Sequence, residues 1–328
     1  MYFRLTGAGS SRTSSTGQDQ LPSLLANTTI KLGASQAPHA ANLPVTPVIQ
    51  DKTLHFLIVG AQKAGSSWLA DCLRRHPDVY ILPREVHYFD VDAHFNRGAE
   101  WYATFFQNAE PNQLLGEKTP SLTIERSIGC RNHIPERLFN HNPDLRLLIV
   151  LRDPVKRALS ALSHHLWNRR LPPTASVREL LFGRYSDEAH KWAILDEGLY
   201  YKQLSHFWDV FDRKQVGIWV FESDVLRRPK ETLEEVADFI GVTPPVPVPA
   251  WRKIRNRSVT SRPSLIANYH APMLNIAWQV LDRASPRSWR LSLPDDVRRD
   301  LRAFYAEDTR LLAEALGRNL GEWESWSR

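Results

Sequence analysis

The chain has 328 residues, 42% of them hydrophobic, a formal net charge of +6 and a sequence pI of about 9.4. This length allows one large domain or two small ones with a normal core, and the positive charge suits acidic ligands without identifying one. The two cysteines, Cys72 and Cys130, exclude a disulfide framework and match no zinc-site spacing. No apolar run approaches the roughly 20 residues of a membrane helix, and the chain starts without the charged-then-apolar order of a secretion signal. We therefore expect a cytoplasmic protein.

Residues 1–50 differ in composition from the rest of the chain. They are rich in Ser, Thr, Ala, Gly and Pro, and Asp19 is their single acidic residue. Such a segment cannot bury enough apolar surface to fold alone, so we predict a flexible N-terminal extension. A targeting peptide is the alternative, against which the small number of arginines argues.

Short apolar strands alternate with amphipathic helices from residue 51 onward, so we predict one domain over residues 51–328. The predicted strands are 55–60, 79–82, 114–117, 145–151 and 216–222. The predicted helices are 67–75, 134–140, 155–168, 199–212 and 230–240. This alternation predicts an α/β protein, with a P-loop-like three-layer fold in which helices flank a central, mostly parallel sheet.

The regular alternation ends at a proline-rich stretch, residues 243–249. A basic segment (252–262) and an apolar, helix-like run (265–281) follow. A long amphipathic helix is predicted to begin at Asp295. The apolar residues expected near one face of that helix are Val297, Leu301, Phe304, Leu311 and Leu312.

A glycine loop follows the first predicted strand. Gly60 and Gly65, five positions apart, let backbone N–H groups converge on one anion at the positive end of the next helix. In a Walker A loop, lysine directly follows the second glycine and a Ser or Thr binds magnesium. Here Lys63 lies inside the loop, and Ser66 follows Gly65. The sequence therefore predicts a phosphate-binding loop for a ligand other than ATP.

Arg152 directly follows the strongest predicted strand, 145–151. Pro154 suits the first turn of a helix, so Arg152 is expected at the carboxyl end of a central strand, where ligands bind in open α/β sheets. Ser160, about two turns into that helix, could reach the same anion. The alternative is that Arg152 pairs with a structural carboxylate and Ser160 is an ordinary surface residue. Two phosphate sites at neighbouring strand ends favour a single ligand with phosphates at both ends.

These segments resemble sulfotransferases that use 3′-phosphoadenylyl sulfate, in particular the branch of heparan sulfate sulfotransferases and many bacterial relatives. Residues 56–67 are similar to the family's 5′-phosphosulfate loop, and residues 148–160 to its 3′-phosphate segment. Supporting matches lie at 117–120, 198–200, 304–308 and 323. The resemblance implies sulfuryl transfer to a hydroxyl of a small molecule or saccharide, without a metal. Adenosine 3′,5′-bisphosphate would be the nucleotide product.

Sulfuryl transfer needs an acceptor oxygen in line with the sulfur, and it needs stabilisation of the departing phosphate. For the second task we predict Lys63 and the backbone from Ala64 through Gly65 to Trp68, with the hydroxyls of Ser66 and Ser67. The alternative for Lys63 is a solvated lysine on a turn.

Residues 84–90 are similar to the family's Lys-Glu-Val-His-Phe-Phe-Asp motif, in which the glutamate acts as base. Carried over, Glu85 is the general base. His87 positions it or, as histidine does in the cytosolic branch, acts as base itself. Asp90 is a support or an acceptor contact. In an extended segment Glu85 and His87 would share one face. The chain departs from the motif at Arg84, where lysine is usual, and a salt bridge from Glu85 to this or a nearby arginine is the alternative.

Three weaker predictions complete the set. Lys118 follows a predicted strand, so it would touch the sulfuryl group or an acidic acceptor, unless it pairs with Glu117 or Glu125. Arg257 lies where the family closes a loop over the nucleotide. The basic residues beyond the 3′-phosphate helix would either contact an anionic acceptor or form a solvated face; they are His164, His165, Arg169 and Arg170.

Other functions are less consistent with the sequence. A P-loop kinase of small molecules conflicts with the displaced lysine and with the lack of an evident Asp-bearing strand for magnesium. A nucleic-acid-binding protein would bind long polyanions with a steep salt dependence, yet no aromatic stripe accompanies the basic residues. A non-catalytic family member is a further alternative, although Lys63, Glu85, Arg152 and Ser160 are all present. The acceptor, O- versus N-sulfation and the oligomeric state are not determined by the sequence.

Overall fold

The computed structural model describes residues 52–122, 133–243, 261–286 and 291–323. The predicted N-terminal extension, Cys130, Glu125 and the proposed nucleotide contact Arg257 lie outside the described residues. The strands, helices and side-chain contacts of these four ranges make up the described structure.

Five parallel strands form the central sheet. They are β1 (Phe56–Gly60), β2 (Val79–Ile81), β3 (Leu114–Lys118), β4 (Arg146–Leu151) and β5 (Val216–Val220). Their order is β2-β3-β1-β4-β5, and each neighbouring pair is parallel. All five residues of β1 are buried, as expected for an apolar run covered on both faces. The predicted parallel α/β fold is confirmed.

Helices cover both faces of this sheet. The first six are α1 (Ser66–Leu73), α2 (Asp92–Phe95), α3 (Gly98–Ala103), α4 (Ile134–His141), α5 (Pro154–Trp167) and α6 (Val177–Phe182). The others are α7 (Ser186–Lys191), α8 (Tyr200–Trp208), α9 (Pro229–Ile240), α10 (Arg262–His270), α11 (Asn275–Ala284) and α12 (Asp295–Leu316).

Side chains of the central strands alternate between two cores. Leu57 and Leu147 belong to a core with residues of α4, α8 and α12, whereas Phe56 and Leu148 belong to a core with residues of α1 and α9. Cys72 of α1 is buried in this second core. A third core joins α5 and α6 to α12. Both faces of the sheet are therefore covered by apolar packing.

The strand order places three chain segments at one edge of the sheet. Ile58 of β1 is paired with Lys118 of β3 on one side and with Leu148 of β4 on the other. The chain has β2 and β3 on one side of β1 and β4 and β5 on the other, so β1 and β4 flank the switch point where ligands of open α/β sheets bind. The glycine loop directly follows β1 and Arg152 directly follows β4, so both lie at this switch point.

Two predictions for the C-terminal region were wrong in detail. Phe304 is not on the buried face of α12, since it is 41% exposed, whereas Tyr305 is 2% exposed. Val297, Leu301 and Tyr305 recur every four residues, close to one helical turn, and this spacing aligns them on the core face. The apolar run 265–281 is interrupted at Pro272, which starts a short 3₁₀ turn between α10 and α11.

Two further predicted elements end early. Helix α8 ends at Trp208 rather than at residue 212, and β5 ends at Val220 rather than at residue 222. Phe221–Val225 form a π-helical turn instead. The carboxylate of Asp224 accepts a hydrogen bond from the Val220 N–H at 2.7 Å, which stabilises this turn.

Candidate functional site

The glycine loop between β1 and α1 has the backbone geometry of an anion site. Gly65 has φ 113°, and a Cβ atom there would lie 2.9 Å from the ring of Phe221, so both conformation and space require glycine. The first helical bond of α1 runs from the Leu69 N–H to the Gly65 carbonyl at 3.1 Å. The N–H groups of Ser66, Ser67 and Trp68 therefore have no acceptor inside the helix and lie at its positive end.

Lys63 lies half-buried in this loop with a left-handed backbone, φ 69°. Burial lowers the pKa of its ammonium group, Glu197 raises it, and Arg152 and Arg157 lower it. Within the described residues its Nζ atom forms no ion pair. Lys63 is therefore not a freely solvated turn lysine but a cation held close to other cations.

Arg152 connects the two predicted phosphate sites. Its Nη1 atom donates to the Lys63 carbonyl oxygen at 3.0 Å, and its guanidinium lies 5.3 Å from the centre of the Phe221 ring. Burial lowers the pKa of Arg152, although nearby Glu222 raises it. Among the described residues no carboxylate forms an ion pair with it, so the structural-pair alternative is not observed there. Phe221, which sequence reasoning missed, contacts both anion segments because the π turn after β5 points it there.

Ser160 and the two histidines that follow lie on α5. Ser160 is 7% exposed and is therefore not an ordinary surface residue. Burial lowers the pKa of His164 to about 4, and the cations of Lys63 and Arg170 add to this shift. His165 is buried against Trp192, with ring centroids 5.5 Å apart, and burial lowers its pKa to about 3. Of the predicted basic face, Arg169 and Arg170 are exposed.

A buried ion pair that sequence reasoning missed supports this side of the site. Arg157 of α5 is fully buried, and its Nη1 atom donates to Glu197 Oε2 at 2.8 Å. It also donates to the Ile194 carbonyl. Burial raises the pKa of Glu197 to about 7, while Arg157 and Lys63 oppose that rise. The pair joins α5 to the turn before α8 and places a carboxyl group near Lys63.

The predicted base segment brings four side chains together. Glu85 forms an ion pair with Lys118, and His87 Nε2 lies 3.6 Å from Glu85 Oε2. His87 Nδ1 lies 2.8 Å from Asp90 Oδ2. Glu85 and Lys118 thus pair with each other, whereas the sequence left Arg84 and Glu117 as their alternative partners. These four side chains, Lys118, Glu85, His87 and Asp90, form the base cluster.

The side chains of the base cluster differ in how far they are exposed. Glu85 and His87 are partly exposed, at 34% and 38% of their side chains, whereas Asp90 is 3% exposed. The hydrogen bond with Asp90 raises the pKa of His87, and burial opposes that rise. The placement of Asp90 behind His87 favours a supporting role over direct acceptor contact.

The base segment is not a strand, although its side chains alternate as predicted. His87 has a left-handed backbone, φ 55°. Val86, between Glu85 and His87, is buried, and so is Tyr88, which follows His87. The Tyr88 ring stacks on the Tyr102 ring, with centroids 4.5 Å apart and an interplanar angle of 9°. Glu85 and His87 therefore share one face because their buried neighbours anchor the segment.

Three adjacent strand ends thus carry, in order, Lys118 with the base cluster, the glycine loop, and Arg152. The described residues contain no group of three or more His, Cys, Asp or Glu side chains arranged to hold a metal ion. In the part of the chain that the structure describes, no helix is both long and apolar enough to cross a membrane.

An open parallel sheet with a glycine loop between a strand and a helix at its switch point is typical of P-loop-like α/β proteins. Within that class, the model of the sulfotransferase domain family matches residues 54–315, and the chain belongs to this family.

The curated relatives point to one branch of the family. Human heparan sulfate glucosamine 3-O-sulfotransferase 6 is 32% identical over 187 residues, which is 57% of this chain and 52% of the relative. Mouse heparan sulfate glucosamine 3-O-sulfotransferase 3B1 is 30% identical over 241 residues, which is 73% of this chain and 55% of the relative. The chain thus spans about half the length of these two relatives.

Among solved structures, a sulfotransferase from Alicyclobacillus acidocaldarius is similar over most of its length. It covers 83% of this chain and 98% of its own, with a TM-score of 0.61 and 27% identity.

Proposed function

We propose that the protein transfers a sulfuryl group from 3′-phosphoadenylyl sulfate to a hydroxyl group, with a saccharide hydroxyl as the first candidate. The observation that carries the proposal is the contact between Arg152 and the Lys63 carbonyl, which joins two cationic strand ends beside the base cluster. Membership of the sulfotransferase family supports the reaction. The 3-O-sulfotransferase relatives support the choice of a carbohydrate.

The two anion segments fit a donor with phosphates at both ends. The 5′-phosphosulfate lies on the N–H groups at the start of α1, beside Lys63 and Ser66. The 3′-phosphate lies at Arg152 and Ser160. The lowered pKa values of Lys63 and Arg152 support this fit, because a bound anion would offset the free-energy cost of burying both cations.

Glu85 acts as the general base in this proposal. It accepts the proton of the acceptor hydroxyl as the acceptor oxygen attacks sulfur. The bond between sulfur and the bridging phosphate oxygen then breaks, and Lys63 and the loop N–H groups stabilise the charge on the departing phosphate. A positioned base contributes roughly a hundred- to ten-thousand-fold. Lys118 and His87 hold the Glu85 carboxylate, and Lys118 also lies where it can contact the acceptor.

Two measurements test this function. Calorimetric titration should show tight, metal-independent binding of adenosine 3′,5′-bisphosphate and weak binding of ATP with magnesium. Preference for ATP would instead favour the small-molecule kinase. A labelled sulfate-donor assay across saccharides, alcohols, phenols and amines would then identify the acceptor class. The cytoplasmic location and the 1–50 extension stay predictions.

A further inference from the structure

A buried carboxylate beneath the base cluster has no role in the reaction as described so far. Glu117, the second-last residue of β3, is 1% exposed. We propose that Glu117 is a positioning residue that sets the place of the general base by holding the backbone next to it. This inference rests on the proposed function, since it acts through Glu85.

The hydrogen bonds of Glu117 converge on the base segment. Glu117 Oε1 accepts from the Val86 N–H at 2.9 Å and from the Thr119 hydroxyl at 2.6 Å. Glu117 Oε2 accepts from the Tyr102 hydroxyl. Val86 is the residue between Glu85 and His87, so the bond to its N–H fixes the peptide that carries both cleft-facing side chains.

Strand β3 thereby holds the base at two points. Successive residues of a strand point to opposite faces. Glu117 reaches the Val86 backbone on one face, and Lys118 reaches the Glu85 carboxylate on the other. Glu117 and Lys118 are paired in register with Leu57 and Ile58 of β1, the strand that leads into the glycine loop. A short, hydrogen-bonded path therefore fixes the base relative to the donor loop.

A second anchor holds the two peptide groups that follow. His94 Nδ1 lies 3.0 Å from the Val86 carbonyl oxygen and 3.1 Å from the His87 carbonyl oxygen. Carbonyl oxygens only accept, so this ring nitrogen donates. Between them, Glu117 and His94 hold the segment in which His87 keeps its left-handed backbone, a conformation that persists where surrounding contacts enforce it.

Substitutions of Glu117 can distinguish a positioning role from a role in which the side chain only fills space. The three hydrogen-bond partners of Glu117 are neutral donors, and within the described residues Glu117 forms no ion pair. A glutamine can still accept from Val86 and Thr119 through its carbonyl oxygen. An aspartate keeps the charge but withdraws the oxygens by one C–C bond, about 1.5 Å. Leucine fills similar space but accepts no hydrogen bond.

Steady-state kinetics of three variants test the inference, with rates normalised to sites that bind adenosine 3′,5′-bisphosphate. Glu117→Leu should lower kcat about 100-fold, the scale expected when a catalytic group is displaced by about 1 Å. Its Kd for the bisphosphate should stay within about twofold, because the donor loops follow β1 and β4. Glu117→Gln should restore kcat to within about tenfold of the wild-type protein. Glu117→Asp keeps a buried carboxylate and should lower kcat about tenfold. It replaces Glu117→Leu as the test if the leucine variant does not fold.

Unchanged kcat per binding site in Glu117→Leu or Glu117→Asp would overturn the inference. Loss of bisphosphate binding in proportion to activity would do the same, by showing a purely structural role. Glu117→Asp should have little further effect when combined with Glu85→Gln, because it acts through that base. Near-normal activity of Glu85→Gln alone would instead refute the base assignment, so the two failures are distinguishable.

Discussion

The donor side and the base side of this cleft handle charge differently. On the donor side, which comprises the glycine loop, Arg152 and Ser160, burial lowers the pKa of Lys63 and that of Arg152, and the nearby carboxylates of Glu197 and Glu222 oppose this only in part. In the base cluster, Lys118 pairs with Glu85, and His87 lies between two carboxylates.

This difference indicates whether the charges on each side are compensated by the protein or by a ligand. On the donor side, nearby carboxylates compensate the two buried cations only in part, so a bound anion would stabilise both. The base cluster is balanced by its own residues before any ligand arrives. Substitutions on the donor side should therefore change ligand affinity, whereas those in the base cluster should change turnover.

The largest effect is expected from the base cluster. Glu85→Gln should lower kcat by about a hundred- to ten-thousand-fold, because the amide cannot take the acceptor proton. Its affinity for adenosine 3′,5′-bisphosphate should not change, as calorimetry would show. Glu110→Gln, at an exposed site, is the matched control and should keep full activity. Near-normal turnover of Glu85→Gln would leave His87 as the base.

A loss of affinity is expected on the donor side. Lys63→Ala and Arg152→Ala should each weaken bisphosphate binding by about 10- to 100-fold, since a hydrogen bond to a charged group contributes about 1.5–3 kcal/mol. Lys214→Ala removes an exposed cation, 81% exposed, and should change the Kd little. Equal, small losses for all three variants would indicate nonspecific polyanion binding.

The donor side was the more predictable of the two because its signal is local. The positions of Gly60, Lys63 and Gly65 in a strand–loop–helix segment define backbone geometry within a few residues. The pair between Glu85 and Lys118 joins residues 33 positions apart, and no local pattern specifies such a contact. The resemblance supplied these base-cluster residues, but only the fold showed that they contact each other.

Tertiary packing also decided what periodicity left open. Phe304 and Tyr305 are adjacent and both aromatic, and the sequence prediction placed Phe304 on the core face of α12. Gly198 decides between them, because the Tyr305 ring lies so close that a Cβ at Gly198 would be 2.6 Å from it. Arg157 was missed for a similar reason. A buried arginine cannot be told from an exposed one until its partner Glu197 is located.

The free energy of unfolding should fall in acid because α5 carries a buried histidine, His165. His165 is 3% exposed, and its pKa is lowered from 6.5 to about 3 by burial. Below pH 6.5 the unfolded chain binds a proton that the folded protein does not, so the free energy of unfolding decreases as pH falls. The slope from this residue approaches about 1.4 kcal/mol per pH unit.

Urea unfolding at several pH values between 7 and 4 would measure this slope. His165→Phe should flatten it, whereas His270→Asn, at an exposed position, should not. An unchanged slope in His165→Phe would show that other groups control acid stability.

The smallest effect gives the sharpest comparison of the two sides. Lys63 is among the groups that lower the pKa of His164, whereas the Asp90 hydrogen bond raises that of His87. Bound bisphosphate would place negative charge beside Lys63, so the pKa of His164 should rise from about 4 towards its ordinary value. His87 should respond little, because its charge is already balanced within the base cluster. NMR titration of both imidazoles with and without the bisphosphate measures this, and Asp90→Asn, which should lower the pKa of His87 alone, assigns its signal. Equal shifts of both histidines on binding would show that the two sides form one electrostatic unit.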